Sequence, residues 1–145
     1  MGVIAFNFDK LLVERKKPIE VPMKVDTGVK IVDLKEDEVA LASGRKERVL
    51  RFTFSYNIEY QPKQAYIQID GHLLYHDKAE ELDKIVSEWK KTKKFNTALG
   101  KVIINNILVR SQVKALVLGQ DVGLPPHIRL PMVTSTPKKP NSYIG

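Results

Sequence analysis

Acidic residues and histidines alternate along one segment of the chain. Asp70, His72 and His76 fall on the same side of the sequence AYIQIDGHLLYH, and Asp77 follows directly. Carboxylate oxygens and imidazole nitrogens in such a pattern can converge on a cation. An exposed sheet face that happens to carry histidines explains the pattern more simply. We favour the simpler interpretation and predict no metal site.

Other catalytic groups are scarce. The chain has no Cys, which removes disulfides, thiolate nucleophiles and Cys-ligated metals together. Its serines lack the context of a nucleophile elbow, and no Gly-rich phosphate loop is present. His127 follows Pro126 without an obvious partner. We therefore expect no catalytic residues, no cofactor and no enzymatic activity.

The composition is that of a soluble globular domain. Of the 145 residues, 43% are hydrophobic and 28% are charged. No window approaches the roughly 18 uninterrupted apolar residues of a membrane helix, and the N-terminus lacks the features of a secretory signal. We expect one domain over residues 1–133, a flexible tail over residues 134–145, and a cytoplasmic location.

The net charge of +7 raises the question of a polyanionic partner. The basic residues are scattered, with one lysine-rich run at residues 90–94. No zinc-finger spacing, RNP-like aromatic motif or KH-type loop accompanies them. A solvated lysine-rich surface is the favoured interpretation, and nucleic-acid binding is kept as an alternative.

The first half of the chain predicts strands. Residues 49–60 and 65–75 alternate apolar and polar side chains, and the turn residues 61–64 between them predict a hairpin. A further strand is expected at residues 3–14, followed by an extended crossover with two prolines and a glycine at residues 16–28. Apolar segments at residues 29–34 and 38–43 flank a charged turn at residues 35–38. The pattern favours an antiparallel sheet of about four strands with one apolar face.

Two helices are predicted after the strands. Residues 77–91 form a short amphipathic helix with Asp77 as its N-cap, and Trp89 lies on its apolar stripe. Thr97 can cap a longer helix that ends before the glycines and prolines of residues 119–126. Together these elements predict an α+β fold with a four-stranded antiparallel sheet followed by a short and a long helix.

The long helix is apolar on more sides than one contact requires. A helix that packs once on its own domain needs a single apolar stripe. That stripe is expected to be Leu99, Ile103, Ile107, Ala115 and Leu118. The surplus apolar residues are Val102, Ile104, Leu108, Val109, Leu116 and Val117. We expect a second copy of the chain to cover the surplus.

This order of elements resembles the SecB family of protein-export chaperones, as an archaeal-type or divergent member. The resemblance covers most of the chain, roughly residues 6–133. The segments that carry it are FDKLLVERKKPIEVPMKV, KIVDLKEDEV, RVLRFTFSYNIEYQPKQAYIQIDGHLLY and NNILVRSQVKALVLGQDVGLPPHIRLPMV.

The resemblance implies an ATP-independent holdase that binds unfolded or export-competent polypeptides and takes part in protein transport. SecB proteins are homotetramers, assembled as dimers of dimers, whose long helices lie between two sheets. By position, the resemblance points to client-binding residues in the crossover and the short helix: Ile19, Val21, Pro22, Met23 and Trp89. It places the oligomer interface at Ile104, Leu108 and Leu116.

Two questions stay open at the level of sequence. SecB proteins dock to the export motor SecA through acidic residues on the exposed sheet, whereas Arg51, Thr53, Asn57 and Glu59 give this chain a mixed face. A translocation partner is therefore left open. A chaperone dedicated to one labile partner, such as an antitoxin, is as compatible with the sequence as a general export chaperone.

Overall fold

Four antiparallel strands form a single sheet in the computed structural model, which describes residues 2–128. The strands are β1 (Gly2–Arg15), β2 (Lys24–Ala40), β3 (Lys46–Gln61) and β4 (Ala65–His76), in the spatial order β1-β4-β3-β2. Two helices follow, α1 (Ala79–Thr92) and α2 (Thr97–Asp121). The predicted α+β architecture is confirmed. The end of the predicted domain at residue 133 and the predicted tail at residues 134–145 lie outside the described residues.

The β3–β4 hairpin supplies the centre of the core. Alternate residues of both strands are buried, as the period of two predicted. Phe54 lies opposite Gly71, and Tyr56 lies opposite Ile69. A Cβ on Gly71 would lie 2.4 Å from the Asn7 carbonyl oxygen and 2.7 Å from the Phe54 ring, so the close approach of β1 to β4 requires glycine here. The other faces of these strands carry the polar residues.

The charged residues 35–38 do not form a turn, contrary to the sequence prediction. They lie within β2, which runs unbroken to Ala40 along the edge of the sheet. Cross-strand ion pairs to β3 accommodate their charges, with Arg48 bound to Glu36 and Arg51 Nε 3.5 Å from Asp37. The chain reverses instead at residues 41–45, where Gly44 adopts a positive φ of 84°. β2 also begins at Lys24, so the crossover loop is limited to residues 16–23.

The N-cap of each helix lies one residue away from the predicted cap. Asn96 caps α2 by accepting a hydrogen bond from the Leu99 backbone N–H at 2.7 Å, and Thr97 is the first helical residue. Lys78 occupies the cap position of α1 without a side-chain hydrogen bond. Asp77 lies one residue earlier, where its carboxylate accepts hydrogen bonds from the Lys78 N–H and the Tyr75 hydroxyl.

The two helices cover different halves of the sheet. α1 packs on β2 and β3, and α2 packs on β1 and β4. The buried stripe of α2 repeats every four residues and consists of Leu99, Ile103, Ile107, Ser111, Ala115 and Gly119. By length and composition α2 could also cross a membrane. Core helices of soluble proteins meet the same criteria of length and composition. The buried stripe packs α2 against the sheet.

Candidate functional site

An apolar cleft opens between β2 and the ends of the two helices. We call it the β2 cleft. It has a volume of about 370 Å³ and is lined by Val29, Lys30, Ile31, Trp89, Lys93, Lys94, Phe95 and Ile104. Val29, Ile31, Phe95 and Ile104 pack against the core and remain half-buried. Apolar side chains that are already ordered but still partly exposed can accept a further apolar group at little entropic cost.

Aromatic stacking forms one end of the β2 cleft. Trp89 stacks on Phe95 with ring centroids 6.1 Å apart, and Phe95 meets the edge of Phe52 at 5.5 Å. Trp89 is only 9% exposed, because it belongs to the buried stripe of α1. Lys93 ends α1 in the left-handed conformation, and its ammonium lies 5.5 Å from the centre of the Trp89 ring. Trp89 therefore presents little of its surface to the cleft.

The crossover loop is anchored by one buried glutamine. Gln64, which is 2% exposed, accepts the Glu20 N–H at its Oε1 at 2.8 Å and donates to the Glu20 carbonyl at 3.2 Å. Its backbone carbonyl accepts the N–H groups of Lys16 and Lys17. The loop is thus held against the β3–β4 turn, although it has no regular secondary structure itself.

The predicted client-binding residues of the loop divide into two pairs. Ile19 and Met23 are half-buried against the core, whereas Val21, at 86% exposure, and Pro22 face solvent. Trp89 does not join them, because it lies beside Val29 and Ile31 of β2. Val29 is six residues beyond Met23, or about 20 Å along an extended strand.

A row of half-buried residues connects these two places. Met23, at the end of the crossover loop, and Val25, Val29 and Ile31 of β2 all pack against the core and all keep some exposure. Four residues of this region were not predicted as candidates from the sequence: Val25, Val29, Ile31 and Phe95. The alternation within β2 was a usable signal for the first three. No sequence signal marked Phe95, because it lies in the polar stretch KTKKFNT, where α1 ends and α2 begins.

A second apolar cavity lies at the other end of α2. It has a volume of about 480 Å³, between the last turns of α2 and residues 124–127. The Tyr60 hydroxyl donates to the Pro125 carbonyl at 2.5 Å, and the His127 ring lies 6.3 Å from Tyr56. Burial lowers the pKa of His127 and raises the pKa of Tyr56 to about 12. Both rings therefore favour their neutral forms in the folded chain.

The outer face of α2 carries a stripe of valines, which we call the valine face. Val102, Val109, Val113 and Val117 are 45%, 67%, 61% and 47% exposed. The predicted interface residues Ile104, Leu108 and Leu116 lie between the valine face and the sheet and are half-buried. Ile104 lines the β2 cleft, and Leu116 lines the second cavity. The assignment of these three residues to an interface stays a prediction.

The histidines of β4 take part in separate polar contacts on the outer sheet surface. His72 Nδ1 lies 2.7 Å from Asp9, and Arg51 Nη2 lies 3.2 Å from His72 Nε2. An arginine can only donate, so Nε2 accepts and the Nδ1 hydrogen points to Asp9. His76 instead pairs with Glu47 at 3.5 Å, and Asp70 accepts from Gln68 at 2.6 Å. Within residues 2–128, no group of three or more potential ligands is placed to hold a metal ion.

Comparison with known proteins gives a likeness of fold. No protein-family model and no curated protein sequence matches the chain. Among solved structures, the chain is similar to the SecB-like chaperone Rv1957 of Mycobacterium tuberculosis, solved in complex with a ChAD peptide from the antitoxin HigA1 (Rv1956). The TM-score is 0.56 at 12% sequence identity, over 92% of this chain and 89% of that chain. The chain therefore has a SecB-like fold.

Proposed function

We propose that this protein is an ATP-independent chaperone that binds unfolded or export-competent polypeptides along β2. The observation that carries the proposal is the half-buried apolar row of Met23, Val25, Val29 and Ile31, which runs from the crossover loop to the β2 cleft. In this proposal the client contacts these residues together with the predicted set Ile19, Val21, Pro22, Met23 and Trp89.

The physical properties of such a row suit a holdase. An unfolded client offers scattered apolar side chains on an extended backbone. Each aliphatic side chain that is buried contributes about 1.5–3 kcal/mol at most. Several shallow contacts therefore give reversible binding without requiring one sequence. A short row of preformed contacts also needs no nucleotide-driven rearrangement.

Assembly through the valine face is the second part of the proposal. A second copy of the chain would remove Val102, Val109, Val113 and Val117 from water, with Ile104, Leu108 and Leu116 at the borders of the contact. The expected assembly is a homotetramer built as a dimer of dimers, as the resemblance to SecB implies. Self-complementary contact of equivalent helices is the usual arrangement in symmetric oligomers.

The nature of the client is supported by one comparison. The similar Mycobacterium tuberculosis chaperone was solved with an antitoxin peptide, which favours a polypeptide partner for this chain, either a range of clients or a single dedicated one. We place the protein in the cytoplasm, where it would meet clients before export. A mixed outer sheet face gives no specific support to docking on an export motor.

An aggregation assay tests the chaperone activity. A chemically unfolded client is diluted with a stoichiometric amount of the protein without ATP, and light scattering records both aggregation and the mass of the assembly. We expect suppressed aggregation and a mass above that of one chain. Aggregation at the rate of the client alone would reject the proposal.

A matched pair of variants locates the site. Ile31→Ser removes an apolar side chain from the β2 cleft, whereas Val32→Ser changes its exposed neighbour at a β-bulge of the same strand. We expect Ile31→Ser to require several-fold more protein for the same suppression and Val32→Ser to match the wild type. If the two substitutions weaken suppression equally, the client-binding site does not lie in the β2 cleft.

A further inference from the structure

Two lysines border the apolar surface of the β2 cleft. Lys93 and Lys94 follow α1, and we call these two residues the lysine rim. They line the same cavity as Val29, Ile31, Phe95 and Ile104. Lys30 also borders the cleft through β2, but it lies opposite Ser55, so its side chain points to the outer face of the sheet.

Within the described residues, the positive charge of the lysine rim is not neutralised. Ion pairs elsewhere engage Lys24, Lys35, Lys84, Arg48 and Arg51, but none involves the lysine rim. The segment 87–105, which contains Lys93 and Lys94, has five lysines and one acidic residue, Glu88. The ammonium of Lys93 is also placed over the cleft wall by its contact with the Trp89 ring.

We infer that the β2 cleft prefers polypeptide segments in which an aliphatic or aromatic side chain is flanked by Asp or Glu. The inference rests on the proposed function and names the class of client. The apolar side chain contacts Val29, Ile31 and Phe95, while the flanking carboxylates meet the lysine rim. Basic segments are disfavoured, because their charges face the same ammonium groups.

The choice of lysine fits this role physically. A lysine ammonium is a compact charge on a flexible stem with three rotatable donors, so it accepts carboxylates from many directions. Such contacts favour acidic character without fixing a sequence. They are exposed, so each contributes only a fraction of a kcal/mol to about 1 kcal/mol, and salt weakens them.

Peptide binding tests the inference with an internal probe. Trp89 is the only tryptophan of the chain and lies in the cleft wall, so its fluorescence reports occupancy. Three Trp-free peptides share one apolar core and differ in two flanking residues, which are both Asp, both Ser or both Lys. We expect the Asp peptide to bind about five-fold tighter than the Ser peptide at low salt and the Lys peptide to bind weakest. The difference should shrink at high salt.

Charge-reversal variants locate the preference. Lys93→Glu with Lys94→Glu should abolish or invert the order of the peptides. The control, Arg45→Glu with Lys46→Glu, makes the same change from +7 to +3, because each substitution removes two units of charge. Those two residues are exposed at the β2–β3 turn, and the control should keep the order.

Each other outcome counts against the inference. Equal affinity for the three peptides, with intact suppression of aggregation, would overturn the charge preference and leave the holdase in place. If the Lys93 and Lys94 variant keeps the preference for the Asp peptide, the residues responsible for that preference lie elsewhere on the protein. Tighter binding of a single-stranded oligonucleotide than of the Asp peptide would assign the lysine rim to nucleic acid. If the wild-type protein does not suppress aggregation, the proposed function itself is rejected.

Discussion

The inner and outer faces of α2 are both apolar but have different surroundings. Ile103 and Ile107 on the inner face are completely buried against the sheet, whereas Val109 and Val113 on the outer face are 67% and 61% exposed. Valine is a poorer helix former than lysine or glutamate, and exposed valine gains nothing from water. The valine face is therefore unfavourable for an isolated chain, and contact with a partner would remove the disadvantage.

A charge on the inner face should have the largest effect. Ile107→Asp replaces a fully buried side chain with a carboxylate that has no partner in the core. We expect the free energy of unfolding to fall by at least about 4 kcal/mol, which is enough to unfold many domains of this size. Denaturant titration followed by circular dichroism measures it. A folded variant of near wild-type stability would show that α2 does not pack on the sheet through this face.

The same substitution on the outer face should separate assembly from folding. Val113→Asp places its charge in water in the single chain, so secondary structure and the denaturation midpoint of the protomer should change little. Within an oligomer the charge would be buried without a partner, and we expect association to weaken at least about ten-fold. Light scattering over a concentration series measures this.

A control at the start of the same helix completes that experiment. Thr97→Asp adds an equal charge to an exposed position in the first turn, where the helix dipole favours a carboxylate. It should leave the mass of the assembly unchanged. If Val113→Asp also leaves the mass unchanged, the valine face is not the interface between copies.

The sequence predicted the repeat of apolar residues in each helix and strand better than it predicted which of those residues other elements cover. Alternation in β3 and β4 correctly identified their buried sides. For α2, the spacing correctly identified Leu99, Ile103, Ile107 and Ala115, but it also included Leu118, which is only half-buried. It missed Ser111 and Gly119, because their small side chains carry no apolar signal. Only the position of the sheet determines that Ile104 and Leu116 are half-buried while Val109 and Val113 are exposed.

Partners that are remote in sequence explain the other differences. Residues 35–38 were predicted to form a turn because charged residues are disfavoured in strands. The pairing of Arg48 with Glu36 across β2 and β3 could not be derived from local composition. The candidate site shows the same limit. Gln64 and Glu20, 44 residues apart, hold the crossover loop in place. The β2 cleft likewise combines residues from β2, α1, α2 and the segment between the helices.

Alkaline pH should also distinguish the inner sheet surface from the valine face. Burial raises the pKa of Tyr56, on the inner sheet surface, to about 12 from an ordinary value of 10. The folded chain thus holds this proton more tightly than the unfolded chain, and the resulting stability is complete below pH 10 and is lost as the pH rises from 10 to about 12. The side chains of the valine face, Val102, Val109, Val113 and Val117, do not ionise, so alkaline pH does not change their own charge.

Denaturation midpoints measured across this pH range test the expectation. Tyr56→Phe should lose less stability than the wild type, with a slope smaller by up to one proton. Tyr60 and Tyr75, whose pKa values burial also raises, keep part of the slope in both proteins. Identical slopes would mean that Tyr56 ionises as easily in the folded chain as in the unfolded one.

The smallest expected effect concerns the single polar residue of the inner stripe. Ser111 is completely buried on α2, and its hydroxyl has no hydrogen-bond partner among the described residues. An unsatisfied buried hydroxyl is unfavourable, and alanine is the better helix former. We expect Ser111→Ala to raise the free energy of unfolding by about 1 kcal/mol, measured by urea denaturation. Ser87→Ala, at an exposed position of α1, should gain only the helix-propensity part, about 0.5 kcal/mol. A loss of stability in Ser111→Ala would mean that the hydroxyl is satisfied in solution and that the inner face of α2 includes a polar contact.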